Sequence, residues 1–435
     1  MSQPPGPAPL PARPLLITGA RRADAGSGDL LIMDGRYADP ADAPADAERV
    51  DADGLLALPG LVDPHTHLRE PGREDTETIA TGTAAAARGG YTAVLAMANT
   101  TPVTDTAEAA EYVLDVGARE GSAQVQPVGA VSKGLAGEEL AELGLMARSR
   151  ARVRMFSDDG RCVHDPTLMR RALEYVRTFG GVIAQHAQDP RLAGGQACCH
   201  EGEVSGRLGL PGWPAAAEST IVARDAQLAA LTRSRVHVCH VSTAETVEVL
   251  RWAKQRGIAI TAEVTPHHLM LTTDEVVGYD PTYKVNPPLR PAEDVTALRE
   301  ALADGTIDAV GTDHAPHARQ DKEHAFADAA FGMLGLETAL GVLIETMINT
   351  DRSDWSRVIE AMSHAPARIA GLPGQGRPIA IGEPANLTLI DPQARASVDA
   401  AASLSLSRNN PWHGRDLPDP VRMTVWAGRV TYRHD

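Results

Sequence analysis

Eight short apolar segments alternate with Ala- and Leu-rich amphipathic stretches through the middle of this chain, and that rhythm limits its fold more than any other feature. The segments fall at 61–67, 91–98, 123–132, 153–159, 181–187, 235–242, 258–267 and 308–314. Between most of them lie helix-like stretches such as 105–120 and 216–232. Alternating strands and helices build a parallel sheet, and eight such units read as an α/β fold of the (β/α)8 TIM barrel type. Segment types alone also admit a doubly wound sheet. In a barrel the active site lies at the C-terminal ends of the strands.

The two ends of the chain read differently. Residues 14–60 give short alternating strands broken by Gly, Asp and Pro, and the tail repeats this texture in "ANLTLIDPQ" and "RMTVWAGRVTYR". We expect one small sheet domain formed by 14–60 plus 371–435, beside a barrel formed by 61–370. Residues 1–13 are Pro-rich and read as a disordered leader.

Composition excludes several classes. The net charge is −16 and no long Lys/Arg run occurs, which argues against a nucleic-acid or anionic-membrane partner. No apolar run approaches the roughly 18 residues of a membrane span, and no secretory signal is visible. The four cysteines, Cys162, Cys198, Cys199 and Cys239, form no CxxC pair. Reduced thiols in a cytoplasmic protein fit them best. Aromatics make up only 4%, so the core should be aliphatic.

The chemistry gathers at the segment ends. The first segment, "LVDPHTHL", ends in His65 and His67, which point the same way because side chains two apart on a strand share a face. That spacing suits one metal ion. Arg69 follows directly. The second segment leads to Asn99, the fourth ends in Asp158-Asp159, the fifth in His186, the sixth in His240, and the eighth in Asp313-His314 with His317 close behind. A single buried His or Asp usually satisfies a hydrogen bond. Four histidines and two aspartates converging on one barrel mouth are better satisfied together by metal. Six N/O donors without a thiolate suit Zn²⁺, or Mn²⁺, Co²⁺ or Fe²⁺ in its place, and the number suits two ions sharing one carboxylate. This is hydrolytic chemistry. Arg69, Asn99 and His317 are suited to a substrate carboxylate or amide edge.

The motifs "DPHTHLREPG", "ANTTP", "FSDDG", "HVSTAET", "EVTPHHLML", "KVNPPLR" and "GTDHAPHA" resemble the bacterial class I dihydroorotases of the amidohydrolase superfamily, from about residue 50 to about 390. The resemblance implies a barrel beside a small β-sandwich from both termini. It implies a binuclear zinc centre, with His65, His67 and Asp313 on one ion, His186 and His240 on the other, and Asp159 between them. Asp159 is preferred to Asp158 for its spacing to His186. Arg69, Asn99, Asn286 and His317 would hold dihydroorotate, and Phe331-Gly332 would touch its ring through main-chain groups. The implied reaction is the reversible closure of N-carbamoyl-L-aspartate to L-dihydroorotate plus water in pyrimidine biosynthesis. Asp313 would move the proton.

Two other readings differ in kind. A hydantoinase or allantoinase keeps the chemistry and changes the ring, but those relatives bridge their metals with a carbamylated Lys where this chain has "RMFSDDG". Lys133 ends the third segment and is a poor substitute. A non-catalytic partner of aspartate transcarbamoylase should have lost ligand histidines, and here every ligand position is filled. An active enzyme remains compatible with aspartate transcarbamoylase as a partner, and with a homo-oligomer. His267-His268 read as packing or support, Asp63 as orienting a histidine or capping the barrel, and 317–332 as either a mobile lid or a solvated surface loop.

Overall fold

The computed structural model describes residues 13–23 and 26–434. The proposed leader therefore lies, apart from its last residue, outside the described residues.

All eight expected segments form strands, each shorter than its apolar text. They are β1 (Leu61–Thr66), β2 (Tyr91–Ala96), β3 (Gln124–Pro127), β4 (Met155–Phe156), β5 (Val182–Gln185), β6 (Val236–Val238), β7 (Ile260–Val264) and β8 (Ala309–Val310). Every pairing among them is parallel: β1 with β2, β2 with β3, β4 with β5, β5 with β6, β6 with β7 and β7 with β8. Two parallel bridges join the remaining neighbours, Gly129 with Phe156 and Thr66 with His314. The succession thus returns to its first strand. Main-chain bonds reinforce that return, from Asp313 N–H to His65 C=O at 3.0 Å and from His67 N–H to His314 C=O at 2.9 Å.

Alternation along the strands sorts their side chains into two apolar layers. Ala93 and Leu95 of β2 join Val62, Val128, Met155, Val182, Ala184 and Ala309 in one cluster. Val94 and Ala96 of the same strand, on its other face, join the larger cluster that includes the helices. These helices include α1 (Ile79–Arg88), α2 (Ala107–Glu120) and, further along, α3 (Ala216–Thr232). Thr78 and Thr106 cap the first two, each accepting a main-chain N–H at the third helical position. Each buried large aliphatic side chain contributes about 1.5–3 kcal/mol.

One end of the strand ring is closed by the segment Ala365–Ala370, whose Ala365, Ala367 and Ile369 join the inner cluster. Just before it, Ser363 donates to Gly60 C=O at the start of β1. Gly60 is required there, because a Cβ would lie 2.3 Å from the Thr92 hydroxyl. With that end plugged, the opposite, C-terminal ends of the strands are left to form a site.

Strands from both chain ends share a six-stranded sheet, in which Leu56–Pro59 pairs with Leu387–Ile390, and that strand with Val421–Trp426. A four-stranded sheet from residues 15–51 lies in the N-terminal part. The tail also does something its sequence does not announce. Trp412, fully buried, packs with Leu271, Val285, Leu289 and Met333 beside the strand ends.

Candidate metal centre and active site

The six residues singled out as ligands lie on five strand ends and are buried. Asp159 is at the hub. Its Oδ1 lies 3.4 Å from His65 Nε2, 3.3 Å from His186 Nδ1 and 3.2 Å from His240 Nε2. Its Oδ2 lies 3.3 Å from His67 Nε2. Asp313 Oδ1 stands 3.1 Å from His67 Nε2 and 3.5 Å from His65 Nε2. Asp158 faces elsewhere, accepting the main-chain N–H groups of Val131 and Ser132 and the Ser132 hydroxyl.

Backbone conformation at the site is unusual. Arg69, His240 and Asp313 have φ of 61°, 32° and 46°. Non-glycine residues rarely adopt such angles, at a cost of about 1–3 kcal/mol each, and they persist where the surroundings enforce a function.

The outward ring nitrogens have their own partners. His65 Nδ1 lies 2.7 Å from Glu263 Oε1, and the other oxygen of Glu263 lies 3.0 Å from His237 Nε2. Gly311 makes room for this carboxylate, since a Cβ there would come within 2.7 Å of it. His67 Nδ1 is 2.9 Å from Asn99 Oδ1. His186 Nε2 is 2.8 Å from Gln188 Oε1. Asp63 accepts from the N–H groups of His65 and Thr312 and from the Thr66 hydroxyl, tying β1 to the end of β8.

Electrostatics favour a cation at the centre. Burial alone would raise the pKa of Asp159, but the charge of His65 and the hydrogen bonds of His186 and His240 hold it well below the usual carboxylate range. Asp313 is likewise lowered against its burial by His65 and His67. Burial works against a proton on His65, yet the charges of Asp159, Asp313 and Glu263 raise its pKa well above the ordinary value. Two ionised carboxylates buried together demand positive charge.

A divalent ion suits the donor set on two observations. His65 Nε2 is buried without a hydrogen-bond partner among the described residues. His186 Nδ1 and His240 Nε2 approach to 2.9 Å while both face the same Asp159 oxygen. Donor atoms of His65, His67 and Asp313 lie within 4.8 Å of one another, as do those of His65, Asp159 and His240.

The expected substrate residues ring this centre. Arg69 donates from Nε to Pro316 C=O at 3.1 Å, and one of its terminal nitrogens reaches to 3.5 Å from His317 Nε2. Asn99 Nδ2 is 3.4 Å from Asp159 C=O. Asn286 Oδ1 and His317 Nδ1 are buried without partners among the described residues. The main-chain groups of Phe331 and Gly332 are largely engaged within the protein. His317 Nε2 donates to Phe331 C=O at 2.6 Å, Gly332 N–H donates to Lys284 C=O, and Gly332 C=O accepts from Lys322 and Asn409. Gly332 has φ of +136°, and a Cβ would meet Ala315 and His317 below 3.0 Å.

The other marked residues take structural places. His268 contacts Thr265 Oγ1 and the Pro287 carbonyl, which is packing. His267 is buried, with Nε2 unpartnered among the described residues. Lys133 pairs with Glu139 at the surface, away from the ligand cluster. The 317–332 segment is more than a solvated loop, because Lys322, Phe326 and Ala329 are buried. Lys322 Nζ donates to Ala330 and Gly332 carbonyls at 2.8 and 3.0 Å.

Sequence reasoning missed Glu263, Gln188, Lys322 and Asn409. Glu263 had a signal, an acidic residue inside the apolar text "IAITAEV". Asn409 had none. It bonds Ala315 and Gly332 carbonyls and receives the His317 N–H from far along the chain.

The family model described as Dihydro-orotase-like matches residues 54–246. The dihydroorotase of Streptomyces coelicolor is 58% identical over 419 residues, covering 96% of this chain and 97% of that protein. The chain belongs to the dihydroorotase family. A second dihydroorotase, from Mycobacterium tuberculosis, is 54% identical over 423 residues and is covered to 98% of its length, with 96% of this chain aligned. Among solved structures, this dihydroorotase-family fold is shared with the L-hydantoinase (dihydropyrimidinase) of Arthrobacter aurescens, at a TM-score of 0.85, 25% identity and 96% coverage of each chain. The dihydropyrimidinase of Brevibacillus agri matches in fold at a TM-score of 0.83 with 22% identity, covering 97% of this chain and 95% of that one. No helix of the described residues is long and apolar enough to cross a membrane.

Proposed function

We propose that this protein is a zinc-dependent dihydroorotase that interconverts N-carbamoyl-L-aspartate and L-dihydroorotate plus water in pyrimidine biosynthesis. The near-full-length similarity to two dihydroorotases supports the activity. In this reading the eight strands and their helices form a (β/α)8 barrel over 61–370, with 14–60 and 371–435 as the small β-sandwich domain.

The observation that carries the chemistry is one carboxylate, Asp159, touching four imidazoles while Asp313 touches two of them. We assign His65, His67 and Asp313 to one ion, His186 and His240 to the other, and Asp159 to both. When bound, such a pair lowers the pKa of water and polarises a carbonyl. Asp313, whose Oδ1 stands 3.1 Å from His67 Nε2, takes the proton of the attacking water and delivers it to the departing ring nitrogen. Ring closure runs the same transfer backward.

Arg69 presents its terminal nitrogens to the substrate carboxylate, a charge-assisted contact. Its Nε is already fixed by Pro316. The unpartnered Asn286 Oδ1 accepts from a ring N–H, and Asn99 and His317 complete the wall. An aspartate at the bridging position separates this site from the hydantoinase and allantoinase pattern.

Assaying dihydroorotate, hydantoin and allantoin side by side, before and after chelation, tests the reading. Dihydroorotate should be turned over in preference, chelation should abolish turnover, and Zn²⁺ should restore it. Preference for another ring, or full activity without metal, would contradict it.

A further inference from the structure

One neutral side chain joins the two halves of this site. Gln188 lies two residues beyond His186, in the loop leaving β5. Its Oε1 stands 2.8 Å from His186 Nε2 and 2.9 Å from Asn286 Nδ2. An amide oxygen has two lone pairs, so a single atom accepts from both donors.

We propose that Gln188 is a positioning residue that fixes the tautomer of His186 and the orientation of Asn286 together, and so couples metal binding to substrate binding. This rests on the dihydroorotase reading given above. Because Oε1 only accepts, the His186 hydrogen must sit on Nε2. The lone pair is then left on Nδ1, which faces Asp159 at 3.3 Å and His240 at 2.9 Å. The same bond commits the Asn286 amide to donating away from the pocket. Its Oδ1 is left as a buried acceptor without a partner among the described residues. A metal-ligating histidine commonly has its second nitrogen fixed in this way. What is particular here is that the fixing atom also holds a substrate residue.

The test compares the wild type with Gln188→Met, close in shape but unable to accept comparably, and Gln188→Glu, which restores an acceptor. In metal-free protein held at a pH where the His186 imidazole is neutral, nitrogen NMR should show a hydrogen on Nε2 in the wild type and in Gln188→Glu, and a tautomer mixture in Gln188→Met. Zinc affinity should fall about 10- to 100-fold in Gln188→Met. KM for dihydroorotate should rise by a larger factor than kcat falls, and Gln188→Glu should recover both quantities. Unchanged tautomer and unchanged zinc affinity in Gln188→Met would overturn the proposal, as would a folded Gln188→Glu that recovers neither. The NMR and zinc arms do not depend on the substrate. An inactive wild type showing the expected tautomer change would therefore count against the dihydroorotase reading and leave the positioning role of Gln188 toward His186 standing.

Discussion

The two flanks of the centre are supported in opposite ways. The His65–His67 flank is backed by buried charge and by main-chain ties. Glu263 stands behind His65, Asn99 behind His67, and Asp63 clamps β1 to the end of β8. Among the described residues, the His186–His240 flank has no carboxylate behind it. His186 leans on the neutral Gln188, and His240 Nδ1 is buried without a partner among the described residues. The comparison teaches that charge is concentrated on one side. Glu263 strengthens the electron donation of His65, whereas the other flank is set by geometry and by a backbone held at φ 32° at His240.

The sharpest way to break this comparison is to remove the one group both flanks share. Asp159→Asn should release metal from both sides and lower turnover in step with the metal lost, read by metal analysis and a dihydroorotate assay on the same sample. Asp313→Asn should cost about 10²–10⁴ in kcat while most of the metal stays bound, because the four histidines and Asp159 are untouched. Loss of metal in proportion to activity would make Asp313 a ligand only. Glu263→Gln should weaken metal binding by about 10- to 100-fold and more than Gln188→Met does, as measured by zinc titration. An equal or smaller effect would erase the asymmetry.

The smallest effect concerns the wall of the pocket. Burial and the neighbouring Lys284 push the Lys322 pKa down from 10.5 to about 7. The unfolded chain then holds the extra proton over that interval. The contribution of Lys322 to stability is fully present above about 10.5 and declines as the pH falls to about 7. The difference in Tm between wild type and Lys322→Met should therefore move toward the variant on going from pH 10 to pH 7, and flatten below. A constant difference across the range would contradict this.

Much of this was legible because strand periodicity does two jobs at once. The alternation that buries Leu95 also brings His65 and His67 to one side, so apolar text located both the strands and the likewise buried His and Asp groups expected as ligands. The strands ended earlier than the text, as at β4 and β8, because main-chain pairing stops where the ends turn to present side chains. Supporting groups were harder to read. Gln188 reaches Asn286 and Asn409 reaches Ala315, His317 and Gly332 through hydrogen bonds across many residues, and such bonds leave no periodic trace. The Phe331-Gly332 main chain, expected to meet a substrate, also bonds within the protein to His317, Lys284, Lys322 and Asn409. Those contacts depend on how distant segments fold back on the barrel mouth.

The central claim is that six buried imidazole and carboxylate groups exist to hold a pair of divalent ions. Stepwise addition of Zn²⁺ to metal-free protein, with bound metal and dihydroorotate turnover followed together, tests it most directly. Activity should rise with occupancy and level off at about two ions per chain. Full turnover in the metal-free protein would contradict the account.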